Sequence, residues 1–324
     1  MRGTRITLVS ILTLVLLLYG CGRQESQDVQ QGGTAGEVEV QDGSIAVDKR
    51  QDEIVETDQD EAVADEKVVE DFPEIGESVQ KQAPKPPVSA TFSVLGDSIS
   101  TFQGYNPEGY YAFFPGNGEV KEVEDAWWQI VAGDLDLTLY VNGSSSGATV
   151  AGDSTGTEDP QCACNEFRTN GLAGPGNITP ERIIVYLGTN DVLQTVSLGD
   201  NDGTGIVKEG EIATFSDAYT LMLDKLQANY PLAQIYCCTL LQIGDYGTQT
   251  PYVEFVNGEQ LTAEDYSEVI VRIAGNKGLS VIDLYNCGVT IENLPEMSSD
   301  GVHPTAAGMR QIAAAVEEAL VGEN

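Results

Sequence analysis

The sequence contains little histidine and little positive charge. Its 324 residues include one histidine, His303, and 16 lysines and arginines against 51 aspartates and glutamates, for a formal net charge of −35. So acidic a chain is poorly suited to bind nucleic acid or an anionic membrane directly, because such surfaces attract positive charge. A single histidine also argues against a zinc hydrolase, whose metal usually takes two or three.

The six cysteines do not form a metal-binding pattern. Cys162 and Cys164 lie in a polar loop and could pair with each other or with Cys287. Cys237 and Cys238 fall within an apolar run, which favours small core residues. Because the C-x-C spacing lacks a second cysteine or histidine set, we expect neither a zinc site nor any cofactor.

Only one long apolar run occurs, at 6–19, and it follows two arginines at the N-terminus. The run is short for a membrane span but typical of a secretion signal. It ends in Gly20-Cys21, which resembles a bacterial lipobox. Residues 1–21 are therefore predicted to be a lipoprotein signal peptide, with Cys21 lipidated and the protein held at the cell surface. The alternative is an ordinary signal peptide cut near Gly20 or Gly22.

Residues 22–88 are nearly free of aromatic side chains and rich in Glu, Asp, Gln and Gly. A segment of this composition buries too little apolar surface to offset its chain entropy, so it is predicted to be a disordered acidic tether. Residues 89–324 are long enough for one domain with its own core. Contact with a membrane is expected only through the lipid anchor.

Apolar runs and helical patterns alternate along residues 89–324. Five runs rich in β-branched residues predict buried strands, at 90–95, 137–141, 182–187, 233–241 and 279–284. Helical periodicity predicts helices at 125–135, at 215–230, at 262–274 and from the N-cap Thr305 onward. Such alternation predicts a parallel sheet covered on both faces, with the ligand site at the carboxyl ends of the strands.

Short polar motifs stand at those carboxyl ends. The first strand is followed by Gly-Asp-Ser at 96–98, the second by Asn-Gly-Ser-Ser-Ser-Gly at 142–147, and the third by Gly-Thr-Asn-Asp at 188–191. His303 follows the fifth strand, within Asp-Gly-Val-His-Pro. Each motif alone could be a simple turn.

Together these four motifs resemble those of the SGNH, or GDSL-type, hydrolase superfamily. The resemblance covers 90–322, and the segments SVLGDSISTFQGYNPEGYYAFFP and DAWW are similar to a bacterial branch of it. It implies a three-layer α/β/α fold with a five-stranded parallel sheet of the flavodoxin-like kind. It also implies a serine esterase that forms an acyl-enzyme.

The resemblance assigns the catalytic roles to Ser98 as nucleophile, His303 as base and Asp300 as acid. A serine hydroxyl needs a base within hydrogen-bond reach, and His303 is the only imidazole in the chain. No Gly-x-Ser-x-Gly surrounds Ser98, which disfavours the α/β-hydrolase fold. We interpret Asp97 and Asp191 as loop scaffolding.

The resemblance also implies three donors for the oxyanion of the tetrahedral intermediate. They are the backbone N–H groups of Ser98 and Gly147 and the side chain of Asn190. Gly147 is favoured over the nearby Gly143 because of the spacing from Asn142.

Several aromatic residues cluster near Ser98 in the sequence. Rings on loops beside an active site could be sugar-stacking platforms or could cover the sheet as core, and at least one of the two tryptophans is expected in the core. The residues are Tyr105, Tyr110, Tyr111, Phe113, Phe114, Trp127 and Trp128.

The predicted substrate is a small acyl ester, with O-acetyl groups on polysaccharide as the leading hypothesis. A lipid or lysophospholipid esterase is the alternative within the enzyme class. A non-catalytic surface binding module is the alternative outside it.

An acidic loop after the third strand suggests a calcium site. Asp200, Asp202, Thr204 and Glu211 fall at positions one, three, five and twelve of an EF-hand loop. The flanking segments are not two good helices, so a solvated acidic loop is the competing interpretation.

Overall fold

The structure is a computed structural model, and it describes residues 90–155, 158–245 and 251–322. The predicted signal peptide at 1–21, with Cys21, and the predicted tether at 22–88 lie outside the described residues. Their boundaries therefore stay predictions.

Seven strands occur in the described residues. They are β1 (Thr91–Gly96), β2 (Thr138–Asn142), β3 (Gly152–Asp153), β4 (Arg182–Tyr186), β5 (Glu211–Ile212), β6 (Gln234–Cys238) and β7 (Ser280–Ile282). Five of them form one sheet in the order β2-β1-β4-β6-β7, and all of its pairs are parallel. The short strands β3 and β5 pair antiparallel as a separate ribbon.

Helices follow the strands. They are α1 (Trp127–Asp134), α2 (Glu166–Asn170), α3 (Thr189–Leu193), α4 (Phe215–Asn229), α5 (Ala263–Asn276), α6 (Leu294–Met297) and α7 (Ala306–Val321). The long helices begin at threonine caps: Thr214 accepts from the Asp217 N–H, and Thr262 forms a capping box with Asp265. Helix α1 packs against α7, and α4 packs against α2 and α5. The predicted α/β fold with a five-stranded parallel sheet is confirmed.

The core lies between the sheet and these helices. Every residue of β1 is buried, and so are the last four residues of β4 and of β6. The predicted apolar faces of α4 and α7 are buried as well, and Cys237 and Cys238 lie buried in β6. None of the described helices is both long and apolar enough to span a bilayer.

Two strands, β6 and β7, are shorter by three or more residues than the apolar runs that predicted them. The run at 233–241 forms a strand only to Cys238, since the Leu240 N–H bonds to the Ser267 hydroxyl rather than to a neighbouring strand. The run at 279–284 ends as a strand at Ile282, where the Leu284 N–H turns back onto the Ile282 carbonyl. Apolar residues continue past both strand ends because they remain in the core.

Candidate active site

The site lies at the point where successive connections between strands run to opposite sides of the sheet. In the order β2-β1-β4-β6-β7, the chain passes from β1 to β2 on one side and then returns to β4 on the other. A crevice forms at the carboxyl ends of strands at such a switch point. Ser98 follows β1, and Asn190 lies in α3 directly after β4.

A short 3-10 turn over Ser98–Ser100 presents the serine. Asp97 precedes it, and the Asp97 Oδ1 accepts the Ile99 N–H at 3.0 Å. Burial raises the pKa of Asp97 to about 6, although the Ile99 N–H favours the carboxylate. A side chain at Gly96 would place its Cβ 2.7 Å from the Ser144 Oγ, so this close approach requires glycine. Asp97 thus supports the turn, as the sequence predicted.

Ser98, His303 and Asp300 form a continuous hydrogen-bonded chain. His303 Nε2 lies 3.0 Å from the Ser98 Oγ, and His303 Nδ1 lies 2.7 Å from the Asp300 Oδ2. Partial burial disfavours the Asp300 carboxylate, but its hydrogen bond to His303 and the interaction with that ring hold the pKa of Asp300 below its ordinary value. This is the geometry of a serine nucleophile, its base and an orienting acid.

The loop before α7 holds the histidine in place. The Ser298 hydroxyl and the Ser299 N–H both donate to the His303 carbonyl, each at 2.9 Å. Asp300 Oδ1 accepts the N–H groups of Val302 and His303 at 3.0 and 2.7 Å. Asp300 therefore shapes the loop with one oxygen and orients the imidazole with the other.

Phe113 covers one face of the imidazole. Its ring is stacked on that of His303, with centroids 3.5 Å apart and planes within 10°. The Phe113 N–H donates to the Thr101 Oγ1, and the Thr101 hydroxyl donates to the Ser98 carbonyl, both at 2.8 Å. These bonds hold the segment of Phe113 against the segment of the serine. Because Phe113 is fixed in this way, its stacked ring restricts rotation of the His303 ring. The sequence allows either a core role or a sugar-stacking role for Phe113 and does not predict its contact with the histidine.

Gly147, in the loop after β2, and Asn190, in α3, lie at the same edge of the sheet. Gly147 has φ +83°, a conformation that favours glycine. The Asn190 Nδ2 donates to the Ala148 carbonyl at 3.0 Å. An amide nitrogen has two hydrogens, so the second is left for a ligand.

The structure distinguishes Gly147 from Gly143. The Gly143 N–H donates to the Val94 carbonyl at 2.8 Å and is therefore occupied at the end of the sheet. By contrast, neither the Ser98 N–H nor the Gly147 N–H donates to an acceptor within the described ranges. Both N–H groups are thus available to an oxyanion.

Asp191 supports the loop that follows Gly147. Its carboxylate accepts the Val150 N–H at 2.8 Å and the Ala151 N–H at 3.2 Å. Burial raises the pKa of Asp191 to about 7, against the effect of these two donors. This buried acid has the scaffolding position that the sequence suggested.

Arg168 is a supporting residue that sequence reasoning missed. Its buried guanidinium donates to the carbonyls of Gly96 and Gly143, both at 2.9 Å, and also to that of Pro160. It joins the carboxyl ends of β1 and β2, and its Cζ lies 5.4 Å from the centre of the Tyr110 ring. Nothing in the local sequence signals this role, because the burial of Arg168 depends on contacts between distant segments.

The aromatic cluster divides between core and surface. Trp127 and Trp128 are both fully buried, and their ring N–H groups donate to the Ser100 Oγ and carbonyl at 3.0 and 2.9 Å. They therefore anchor the serine turn from the core side. Tyr105 and Tyr111 are 46% and 61% exposed.

The structure does not bring together the acids of the predicted calcium loop. Asp202 Oδ1 accepts from the N–H and hydroxyl of Thr204, at 3.0 and 2.6 Å. Glu211 lies in β5, paired with Asp153, and Asp200 is exposed. In the part of the chain that the structure describes, no group of three acidic, histidine or cysteine side chains could hold a metal. The EF-hand spacing is misleading here because the loop closes on its own Asp-Thr turn and lacks flanking helices that would bring its acids together.

Comparison with known families agrees with this geometry. Residues 90–251, half of the chain, match the model of the GDSL-like Lipase/Acylhydrolase family. The chain belongs to this family. It is thus an ester hydrolase of the GDSL type, and its substrate includes an acyl ester. No match was found among curated proteins.

Solved structures share the fold. One, described as a GDSL-like lipase from Bacteroides ovatus, is 25% identical, with a TM-score of 0.54 over 73% of this chain and 100% of that chain. A second GDSL-like lipase, from Bacteroides uniformis, is also 25% identical, with a TM-score of 0.54 over 72% of this chain and 96% of the other. A protein from Lactobacillus plantarum is 23% identical, with a TM-score of 0.55 over 73% and 99% of the two chains. The last likeness concerns the fold alone.

Proposed function

We propose that this GDSL-type esterase removes small acyl groups, chiefly acetyl, from carbohydrate through a Ser98–His303–Asp300 triad. The observation that carries the proposal is the chain of contacts from the Ser98 Oγ to His303 Nε2 at 3.0 Å and from His303 Nδ1 to Asp300 at 2.7 Å. A hydroxyl placed this way can lose its proton to the imidazole as it attacks a carbonyl carbon.

The reaction takes two steps. Ser98 attacks the ester carbonyl while His303 Nε2 takes its proton, and Asp300 stabilises the imidazolium that results. The imidazolium then protonates the leaving alcohol, and an acyl-Ser98 remains. Water repeats the sequence on the acyl-enzyme and releases the carboxylic acid.

The negative charge on the carbonyl oxygen needs donors at the same place. The N–H groups of Ser98 and Gly147 and the second hydrogen of the Asn190 amide would supply them. Their loops are held by buried groups, Asp191 among them, so little reorganisation is needed when the charge develops.

Two features support a short acyl group. Ser98 is only 5% exposed, so the surface around the nucleophile is narrow. Phe113 also covers one face of His303 and limits the space beside the base. A long acyl chain would need an open apolar path at this point.

The supporting feature for a sugar is Tyr111. The residue is 61% exposed, and its carbonyl accepts the Ser146 N–H at 2.8 Å, next to Gly147. An exposed ring beside the oxyanion donors is suited to stack against the apolar face of a sugar. The net charge of −35 favours a neutral polysaccharide over an acidic one.

The first test compares p-nitrophenyl esters from acetate to octanoate. We expect kcat/KM to be highest for acetate and to fall as the acyl chain lengthens. Highest activity on octanoate would favour the lipid esterase instead. Absence of turnover on all of them by folded protein would favour a binding module.

A second test concerns the sugar. Tyr111→Ala should reduce acetate release from acetylated xylan more than hydrolysis of p-nitrophenyl acetate. Tyr105→Ala is the matched control, since Tyr105 is also exposed but packs on Trp128, with ring centroids 5.4 Å apart. Equal losses on both substrates, or equal effects of the two variants, would contradict a stacking role for Tyr111.

We also propose that the protein is exported and anchored by a lipid on Cys21, which would place the domain near extracellular polymers. The Gly20-Cys21 end of the apolar run supports this location. Cys21→Ser should release the protein to the medium or leave it unprocessed. Normal processing and unchanged membrane fractionation of the variant would contradict the anchor.

A further inference from the structure

Cys162 and Cys164 form a close thiol pair beside the site. Their Sγ atoms lie 3.4 Å apart, and both side chains are buried. Cys287, the other partner that the sequence allowed, lies after β7 and makes no such contact within the described ranges. The structure therefore favours pairing within the C-x-C segment.

The two thiols differ in acidity. The hydrogen bond from Cys164 lowers the pKa of Cys162, although burial opposes this effect. The same hydrogen bond, together with burial, raises the pKa of Cys164. Because the thiolate is the nucleophile in thiol–disulfide exchange, Cys162 is the thiol suited to attack first.

The pair is connected to the loop of Gly147. The Thr149 N–H donates to the Gln161 carbonyl at 2.9 Å, and the Ala163 N–H donates to the Thr149 carbonyl at 2.8 Å. The Cys164 N–H donates to the Val150 carbonyl at 3.2 Å. The cysteines thus lie on the segment that packs along residues 149–150, two positions after the candidate oxyanion donor.

The geometry points to a redox modification site, in which Cys162 and Cys164 oxidise to a disulfide that fastens residues 161–164 beside the Gly147 loop. The oxidant is a small-molecule disulfide such as oxidised glutathione. The Cys162 thiolate attacks one of its sulfurs and releases one glutathione thiolate. The Cys164 thiolate then attacks the Cys162 sulfur and releases the second, and the two thiol protons end on the two glutathiones.

The consequence of this bond is local. A disulfide that closes so short a loop removes little entropy from the unfolded chain, so global stability changes little. Within the fold, however, it closes residues 162–164 into a small ring in the segment that pairs with 149–150. We therefore expect oxidation to slow hydrogen exchange at the N–H groups of Thr149, Ala163 and Cys164.

Mass spectrometry of the purified full-length protein tests the site. One sample is incubated with oxidised glutathione in the folded state, and a second is refolded in its presence, because the folded state buries both thiols. After alkylation and proteolysis, the peptide holding both cysteines should lack the mass of two hydrogens and resist alkylation. Reduction with dithiothreitol should restore both thiols.

Single substitutions provide the controls. Cys162→Ser and Cys164→Ser should each abolish the mass change, whereas Cys287→Ser should keep it. Two alkylated thiols in both samples, a persistent mixed disulfide with glutathione, or a link to Cys287 would overturn the proposal. Equal exchange rates in oxidised and reduced protein would overturn the part that concerns the Gly147 loop. None of these readouts depends on ester hydrolysis, so the proposal fails or stands separately from the proposed function.

Discussion

The loop at 298–304 and the loop at 200–211 contain the same local motif. In each, an aspartate accepts hydrogen bonds from groups two or three positions further along the chain. Asp300 Oδ1 accepts from Val302 and His303, and Asp202 Oδ1 accepts from Thr204. From sequence alone, both aspartates were candidates for a functional site.

The loops differ in what the second carboxylate oxygen meets. Asp300 Oδ2 contacts His303 Nδ1 at 2.7 Å, and the other ring nitrogen, His303 Nε2, contacts the Ser98 Oγ, which is 205 positions away in the chain. Asp202 is exposed. In the described residues it belongs to no group of acidic, histidine or cysteine side chains that could hold a metal. An aspartate in a turn therefore becomes part of a site when a distant element of the fold presents a partner to its free oxygen.

The largest expected effect comes from breaking the contact between distant elements. Ser98→Ala and His303→Ala should each lower kcat for p-nitrophenyl acetate by about 10⁴-fold or more, because triad members act as a unit. Ser98→Ala removes only a hydroxyl, whereas His303→Ala also removes a ring that stacks on Phe113. Circular dichroism should therefore be used to check that both variants are folded. Substantial turnover by folded His303→Ala would mean that another residue is the base.

The second prediction separates the two oxygens of Asp300. Asp300→Asn keeps an acceptor for the loop N–H groups but removes the charge that orients and stabilises the imidazolium. We expect a loss in kcat that is smaller than that of His303→Ala but reaches up to about 10⁴-fold, with little change in melting temperature. Asp300→Ala is the comparison variant, and it should also lower the melting temperature since the loop loses its acceptor. Equal melting temperatures for the two variants would argue against the structural role of Asp300 Oδ1.

A substitution at Asn190 tests the contribution of the oxyanion donors. Asn190→Ala should lower kcat about 10²-fold. KM should change little, since the donor binds the charge that develops in the transition state. A raised KM with unchanged kcat would instead show that Asn190 binds the substrate and its transition state equally.

A smaller effect concerns the pH dependence of stability. Burial raises the pKa of Asp191 to about 7 and that of Asp97 to about 6, both from an ordinary 3.8. Between about pH 4 and 7 the folded protein thus holds protons that the unfolded chain has lost, so the free energy of unfolding should rise as pH falls through this range and level off below about pH 4. Each group contributes a slope of up to about 1.4 kcal/mol per pH unit.

Denaturant unfolding at several pH values between about 4 and 8 measures this slope. Asp191→Asn is the matched variant, because it removes one buried titrating group and leaves nearly all of the acidic surface. The free energy of unfolding of this variant should depend less on pH than that of the wild type over the upper part of the range. Identical slopes for the two proteins would contradict the raised pKa of Asp191.

Much of the fold was predictable because buried parallel strands have continuous apolar runs. The motifs after those strands could be placed at one edge of the sheet for the same reason, and the family resemblance then assigned them roles. Arg168 and Phe113 were not assigned their positions, because a buried guanidinium and a ring stacked on an imidazole depend on segments that meet only in the fold. The acidic loop at 200–211 shows a related limit of sequence reasoning: ligand spacing along a chain does not by itself make carboxylates converge, and in the described residues these do not.

The smallest expected effect is in that acidic loop. Asp202→Ala removes an exposed carboxylate that accepts from the neighbouring Thr204, so kcat/KM and the melting temperature should stay within experimental error of the wild type. Calcium at millimolar concentration should produce no heat in calorimetry and no shift in melting temperature for either protein. Asp300→Ala is the matched comparison, since both substitutions remove an aspartate with similar local hydrogen bonding. If Asp202→Ala impaired activity as strongly as Asp300→Ala, the contact between Asp300 Oδ2 and His303 would not be what distinguishes the two loops.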